Sequence, residues 1–177
     1  MENAKILIAG FGGQGILFSG KVLANTGLML NKEVSWLPSY GPEMRGGTAN
    51  CSINISNEPI GSPIVSEPNV LIAMNLPSLE RYENAVDANG FIVYDSSLIN
   101  KKVERSDVKA FEIPATKLAS DNGLDGLANM VILGKVIKET GMFTWDEIIR
   151  SMEKVVPAKK QELLGKNVKA IEIGYNY

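Results

Sequence analysis

The sequence contains no histidine and a single cysteine, Cys51, in 177 residues. Without histidine there is no Ser-His-Asp triad, no Cys-His pair, no HExxH zinc site and no imidazole proton shuttle. With one cysteine there is no CxxC pair, no disulfide framework and no four-thiolate set for an iron–sulfur cluster. A disulfide-free chain fits a reducing, cytoplasmic compartment. An excess of one charge is missing too: 18 Lys and Arg stand against 20 Asp and Glu, a net of −2 at pH 7. Residues 1–100 carry only Lys5, Lys21, Lys32, Arg45 and Arg81 as basic side chains. That balance argues against nucleic acid as a partner. Long apolar runs are also lacking. The longest stretch without a charged residue, Ile6 to Gly20, is too short to span a bilayer and is broken by Gly10, Gly12, Gly13 and Gly15. The opening MENAKILIAG has an acidic residue and a very short apolar run, so it does not read as a signal peptide.

What remains is the composition of an ordinary globular chain, 45% hydrophobic and 21% charged, long enough for one domain with a sizeable core. Lys5–Ala9 is a short continuous apolar run, as in a central parallel strand covered on both faces. Ile16–Leu30 reads as a buried helix, with Gly20, Ala24 and Gly27 forming a stripe of small residues for close backbone approach. Glu33–Leu37 reads as a second strand. Thr48–Ser56 alternates strictly, with Cys51, Ile53 and Ile55 on one face and Asn50, Ser52, Asn54 and Ser56 on the other. Such a pattern predicts a half-exposed strand near an edge, open to antiparallel pairing. Val70–Met74, Phe91–Asp95 and Val108–Ile113 read as further strands, and Leu76–Val86 as a short helix with Pro77 near its start. From Leu127 onward the period is helical. Gly141 closes one helix, and Thr144-Trp-Asp-Glu147 is a capping box opening the next, with Phe143 and Ile148 as its staple. A last helix is predicted over Lys159–Lys169. The expectation is one α/β domain over residues 1–177: Rossmann-like, with a mostly parallel sheet, a half-exposed edge strand and a helical C-terminal third.

The strongest local motif is Gly10-x-Gly12-x-x-Gly15 between a strand and a helix. Glycines allow the tight turn and let a phosphate approach the backbone, and the helix start offers free N–H groups and the positive dipole end. A dinucleotide enzyme also needs an acid at the end of the second strand, about 20 residues on, for the ribose hydroxyls. Here that strand ends Ser35-Trp36-Leu37-Pro38, and Glu33 lies at its start. A plain NAD(P) dehydrogenase is therefore disfavoured, and close packing of helix on strand competes with phosphate binding as the reason for the glycines. The second motif is Ser39-Tyr40-Gly41-Pro42-Glu43-Met44-Arg45-Gly46-Gly47. Arg45 followed by two glycines can reach a phosphate or carboxylate, against the simpler reading of a salt bridge to Glu43 in a solvated turn. Cys51, on the apolar face of its strand, reads as a small buried hydrophobe rather than a nucleophile. Asp95, followed by Ser96 and Ser97, reads equally as a catalytic acid or as a cap.

The pair Gly10-Phe-Gly-Gly-Gln-Gly15 and Leu37-Pro-Ser-Tyr-Gly-Pro-Glu-Met-Arg-Gly-Gly-Thr-Ala-Asn50 resembles the gamma subunit of the 2-oxoacid:ferredoxin oxidoreductases. The likeness continues through Ser66–Val70, Phe91–Asp95 and Asn129–Gly134, and is nearest to the 2-oxoglutarate type, with the pyruvate and branched-chain types similar. The resemblance implies an α/β module of a CoA-dependent enzyme that decarboxylates a 2-oxoacid to an acyl-CoA. It implies thiamine diphosphate, magnesium and iron–sulfur clusters in partner alpha, beta and delta chains, with ferredoxin as electron acceptor of the complex. Carried over, the CoA-related positions are Gly12, Gly13, Gln14 and Gly15 in the first loop, and Tyr40, Gly41, Glu43, Arg45, Gly46 and Gly47 in the second. No catalytic residue and no metal ligand is implied in this chain. The competing class, carried by the glycine motif alone, is a stand-alone nucleotide-binding enzyme or regulator.

Overall fold

The computed structural model describes residues 1, 3–40 and 48–177. Strand β1 (Ala4–Phe11) is the centre of a six-stranded sheet. Ile6, Leu7, Ile8 and Ala9 are all buried, because the sheet is covered on both faces. Helix α1 (Ile16–Met29) follows, then the hairpin arms β2 (Glu33–Tyr40) and β3 (Thr48–Ser56). Next come β4 (Val70–Ala73), α2 (Leu76–Tyr82) with a 3-10 turn over Glu83–Ala85, β5 (Phe91–Asp95) and β6 (Lys109–Ile113). Helices α3 (Ala115–Asp121), α4 (Ala128–Thr140), α5 (Trp145–Val155) and α6 (Gln161–Asn176) complete the chain. The strand order is β2-β3-β1-β4-β5-β6. The pairs β1–β4, β4–β5 and β5–β6 are parallel, while β3 runs antiparallel to both β1 and β2.

The sheet is therefore mostly parallel and β3 is antiparallel, but β3 is not the edge strand. It lies between β1 and β2, and β2 forms the edge. Its apolar face, Cys51, Ile53 and Ile55, is buried under α1. Its polar face is roofed by the loop that follows it: Asn54 donates to the carbonyls of Ser62 (3.4 Å) and Pro63 (3.2 Å), and Ser52 accepts from the Val65 amide at 3.3 Å. The alternation thus separates an apolar contact from a hydrogen-bonded one, rather than core from solvent.

The small-residue stripe of α1 serves that contact. A Cβ on Gly20 would lie 2.7 Å from Cys51 Sγ, and one on Gly27 would lie 2.9 Å from Val34 Cγ2. Helices α1, α4, α5 and α6 cover one face of the sheet, with Ile6, Ile8, Ile72, Val93, Met130 and Ile171 among their shared core. Helix α2 covers the other face through Leu79, against Leu7, Leu71 and Ile92. Each fully buried aliphatic side chain of this kind contributes about 1.5–3 kcal/mol. The capping box at Thr144 and Glu147 is present, and Gly141 takes the left-handed conformation that stops α4. Helix α6 runs past Lys169 to Asn176, because Ala170, Ile171 and Gly174 pack on α4. Helix α3, which the hydrophobic period does not single out, begins directly after Pro114.

Candidate functional site

The chain leaves β1 at Phe11 and turns back at once. The Gln14 amide donates to the Phe11 carbonyl at 3.2 Å, closing a turn over Gly12 and Gly13. Gly13 (φ 97°) and Gly15 (φ 74°) both adopt left-handed conformations that an L side chain resists. Among the described residues nothing lies within 4 Å of where a Gly13 Cβ would be, whereas one on Gly15 would strike Asn129 at 2.5 Å. The amides of Gly12, Gly13, Gly15, Ile16 and Leu17 have no acceptor among the described residues. Gly12 and Gly13 are exposed. A bare turn of free N–H groups at the start of a 14-residue helix is suited to an anion.

Gln14, named from sequence as a ligand contact, is turned into the protein. Its Oε1 accepts from the Phe11 amide at 2.6 Å and its Nε2 donates to the Met74 carbonyl at 2.9 Å. The side chain is thus a brace between the glycine turn and the end of β4. A second brace comes from Asn129 at the start of α4, which is 3% exposed and 114 residues away. Its Nδ2 donates to the Gly15 carbonyl at 3.0 Å and to Ser19 Oγ at 3.2 Å. Asn129 belongs to a stretch that the sequence resemblance singles out, but its partners are too distant in sequence to show its role.

The sheet brings the two loops to one end. Gly10 is opposite Ala49, Phe11 is opposite Thr48, and Tyr40 is opposite Ala49 on the other side. Tyr40 therefore ends β2 level with the glycine turn. Gly41, Glu43, Arg45, Gly46 and Gly47 lie outside the described residues. Glu33 is opposite Ser56 at the far end of the sheet. Because β3 separates β1 from β2, a side chain at the end of β2 stands two strand spacings, about 9–10 Å, from the glycine turn. This insertion is a second reason, beyond the missing acid, why a dinucleotide ribose finds no partner here.

Asp95 is fully buried at the end of β5. Its carboxylate accepts from the Ser97 amide at 3.0 Å, from the Thr116 amide at 3.1 Å and from Thr116 Oγ1 at 2.5 Å. It ties β5 to the first turn of α3, so capping, not acid catalysis, explains it. Cys51 is fully buried, and burial pushes its thiol up to about 12, against the partly offsetting hydrogen bond from Trp36. Among the described residues, no group of three His, Cys, Asp or Glu is arranged to hold a metal ion, and no helix is long and apolar enough to cross a membrane.

Two hollows flank the glycine turn. One, of about 320 Å³, is lined by Phe11, Gly12, Gly15, Leu17 and Ala49. The other, of about 310 Å³, lies between Gly13 and Gln14 on one side and α3 and the start of α4 on the other.

Residues 5–177 match the family model described as pyruvate ferredoxin/flavodoxin oxidoreductase. The ketoisovalerate oxidoreductase subunit VorA of Methanothermobacter thermautotrophicus is 39% identical over 173 residues, which cover 97% of this chain and 36% of that one. The chain thus spans about a third of that relative's length. The 2-oxoglutarate synthase subunit KorC of Methanocaldococcus jannaschii is 33% identical over 174 residues, covering 97% of this chain and 91% of that one. Among solved structures, the 2-oxoglutarate:ferredoxin oxidoreductase of Magnetococcus marinus, with 2-oxoglutarate, coenzyme A and succinyl-CoA bound, superposes with a TM-score of 0.87 at 23% identity. That match covers 99% of this chain and 31% of that one, and shows a shared fold.

Proposed function

Because the chain belongs to the pyruvate ferredoxin/flavodoxin oxidoreductase family, we propose that it is the gamma subunit of a 2-oxoacid:ferredoxin oxidoreductase and helps to bind CoA. The complex converts a 2-oxoacid and CoA to an acyl-CoA and carbon dioxide, passing the electrons to ferredoxin. The 2-oxoacid is 2-oxoglutarate, supported by the near full-length match to a 2-oxoglutarate synthase subunit. The 39% identity to a ketoisovalerate enzyme supports the branched-chain acid as the second reading. Thiamine diphosphate, magnesium and the iron–sulfur clusters are assigned to the alpha, beta and delta partners, as the resemblance implies, and a single buried cysteine leaves no thiolate set for a cluster in this sequence. The complex works in the cytoplasm, in keeping with a chain that can form no internal disulfide.

The observation that carries the CoA role is the exposed glycine turn, with five amides that no described residue accepts, placed level with the ends of the second loop. These groups fit a phosphate-bearing ligand. Gly12, Gly13 and Gly15 present the amides, while Gln14 and Asn129 fix the turn from inside. The second loop, with Tyr40, Gly41, Glu43, Arg45, Gly46 and Gly47, is assigned the shaping of the CoA channel or the subunit contact, as the resemblance implies.

The test is steady-state kinetics of the assembled complex carrying Gly13→Ala. The added methyl meets none of the described residues within 4 Å but strains the turn's left-handed geometry. A rise in the CoA KM with the 2-oxoacid KM unchanged supports the reading; an unchanged CoA KM removes it. Titration calorimetry of the isolated chain with NAD, NADP, FAD and CoA separates the stand-alone alternative, which requires tight dinucleotide binding by the free chain.

A further inference from the structure

The two edges of the sheet are unlike. Strand β6 closes one side with the five residues Lys109–Ile113, of which Lys109, Ala110 and Glu112 are exposed. A short edge with charged side chains resists contact with another chain. Strand β2 closes the other side with eight residues and one charge, Glu33, at its start. Trp36 is opposite Ile53, on the face under α1, and alternation puts Leu37 on the opposite face. Trp36 is 41% exposed and Leu37 37%. Leu28 of α1, 59% exposed, shares a hollow with Trp36. Ile64, 65% exposed, follows Pro63, which bonds to Asn54, and precedes Val65, which bonds to Ser52. Asn54 and Ser52 are opposite Ser35 and Leu37, so Ile64 stands over that part of β2. Four of the eight large apolar side chains exposed among the described residues therefore gather at one edge. Single exposed apolar residues are ordinary, whereas a contiguous group marks a contact surface.

This surface has a socket. Helix α1 and strand β2 enclose a hollow of about 250 Å³, lined by Ala24, Leu28, Val34 and Trp36 together with Lys21 and Asn25. Trp36 is held in place by its hydrogen bond to Cys51, so the wall is already formed. Lys21 is exposed and makes no ion pair among the described residues. A second copy of the chain fits this edge poorly. Lys21 and Glu33 are the only charged residues of α1, β2 and β3, and alternation puts Glu33 on the face away from α1. Two such edges meeting would give Lys21 no carboxylate from these elements. Pro38, which has no N–H, also weakens the edge as a template for a further strand. A different polypeptide is at hand: in the 39% identical ketoisovalerate subunit this unit is 36% of the chain, and about two-thirds of that molecule accompanies it.

We propose that the β2 edge seats this unit on the polypeptide that corresponds to that remainder, which places an apolar side chain in the α1–β2 hollow and a carboxylate beside Lys21. This rests on the reading of the protein as one subunit of a larger complex. The test is the Kd between the full chain and the other oxidoreductase subunits of its complex, with thermal melts of each variant. Trp36→Ala is expected to weaken association about 30-fold, as at a central apolar anchor, and Leu37→Ala about fivefold. Lys21→Glu is expected to weaken it about tenfold. Leu37 is exposed, so its variant keeps the fold even if Trp36→Ala does not. Hydroxyl-radical footprinting of the wild type needs no substitution: labelling of Trp36, Leu28 and Leu37 is lost on assembly. Unchanged labelling, or unchanged Kd for Trp36→Ala and Leu37→Ala, overturns the proposal. An unchanged Kd for Lys21→Glu overturns the carboxylate contact. A free chain that dimerises in sedimentation, and loses only this dimer in Leu37→Ala, places a second copy at the edge and overturns it too. If the wild-type chain binds none of the other subunits, the subunit reading fails and the proposal with it; if it binds them and the edge variants bind equally, the proposal alone fails.

Discussion

The side-chain amide of Gln14 donates to the carbonyl oxygen of Met74 at 2.9 Å, joining the glycine turn to the end of a strand 60 residues later. Gln14→Ala removes this bond and the one from the Phe11 amide, and leaves Phe11 N–H and the Met74 carbonyl unpaired. The expected cost is about 1–3 kcal/mol in urea unfolding. A CoA KM that rises with no change in the melt would instead make Gln14 a direct ligand contact.

Asp95 is expected to be a structural carboxylate. Asp95→Asn keeps the shape but gives up the charge and one acceptor facing Thr116, at a cost of about 2–3 kcal/mol. Thr116→Val removes only the hydroxyl bond and costs about 1 kcal/mol. Chemical denaturation of both variants checks the order. Full loss of turnover in an Asp95→Asn complex of unaltered stability would mean that the carboxylate does chemistry.

The Cys51 thiol stays protonated in the folded chain up to about pH 12, while in the unfolded chain it ionises near 9.0. Between those values the unfolded state has released a proton that the folded state keeps. Stability therefore falls as pH rises through this window, by as much as about 1.4 kcal/mol per pH unit, and is unaffected by this group below pH 9. Unfolding at pH 8 to 11 for the wild type and Cys51→Ala checks it; the alanine variant lacks this component. Alkylation by iodoacetamide at pH 8 is expected only after denaturation.

Three glycines of the C-terminal helices are expected to answer the same substitution with opposite signs. A Cβ on Gly134 would run into the Ile171 carbonyl, and one on Gly174 into the Val131 carbonyl, so α4 and α6 touch through their backbones. Gly134→Ala and Gly174→Ala each force the helices apart and cost at least about 2–3 kcal/mol. Gly165, exposed on α6 with nothing within 4 Å of its Cβ position, gains about 0.5–1 kcal/mol as alanine through helix propensity. Thermal melts of the three variants, with amide exchange along α6, measure the contrast.

The order of strands and helices up to Asp95 is legible in the residues, because each element there carries a local signal. Ile6–Ala9 is apolar throughout, the turn glycines follow at once, and Cys51, Ile53 and Ile55 alternate with polar neighbours. The position of β3 is not legible. Alternation reports that two faces differ, not whether the polar face meets water or, as here, the carbonyls of Ser62 and Pro63. Helix α6 is predicted only to Lys169, whereas it continues to Asn176, and Gly174 is a point of close approach to α4. At the site, the glycine turn is visible and its supports are not. Asn129 bonds to Gly15 and Ser19, and Gln14 to Met74, across separations that no local pattern encodes.

The placement of β1 between β3 and β4 also sets a sequence of events in time. Ile6, Leu7 and Ile8 precede both of their strand neighbours along the chain, residues 51–53 and 70–72. The first strand has no full set of partners until the segment ending at Ala73 has joined it. Until then its apolar edge is open to pairing with other chains. The strand that ends at the glycine turn therefore depends on two segments that follow it in the chain, and its edges stay open to wrong neighbours until both have joined it.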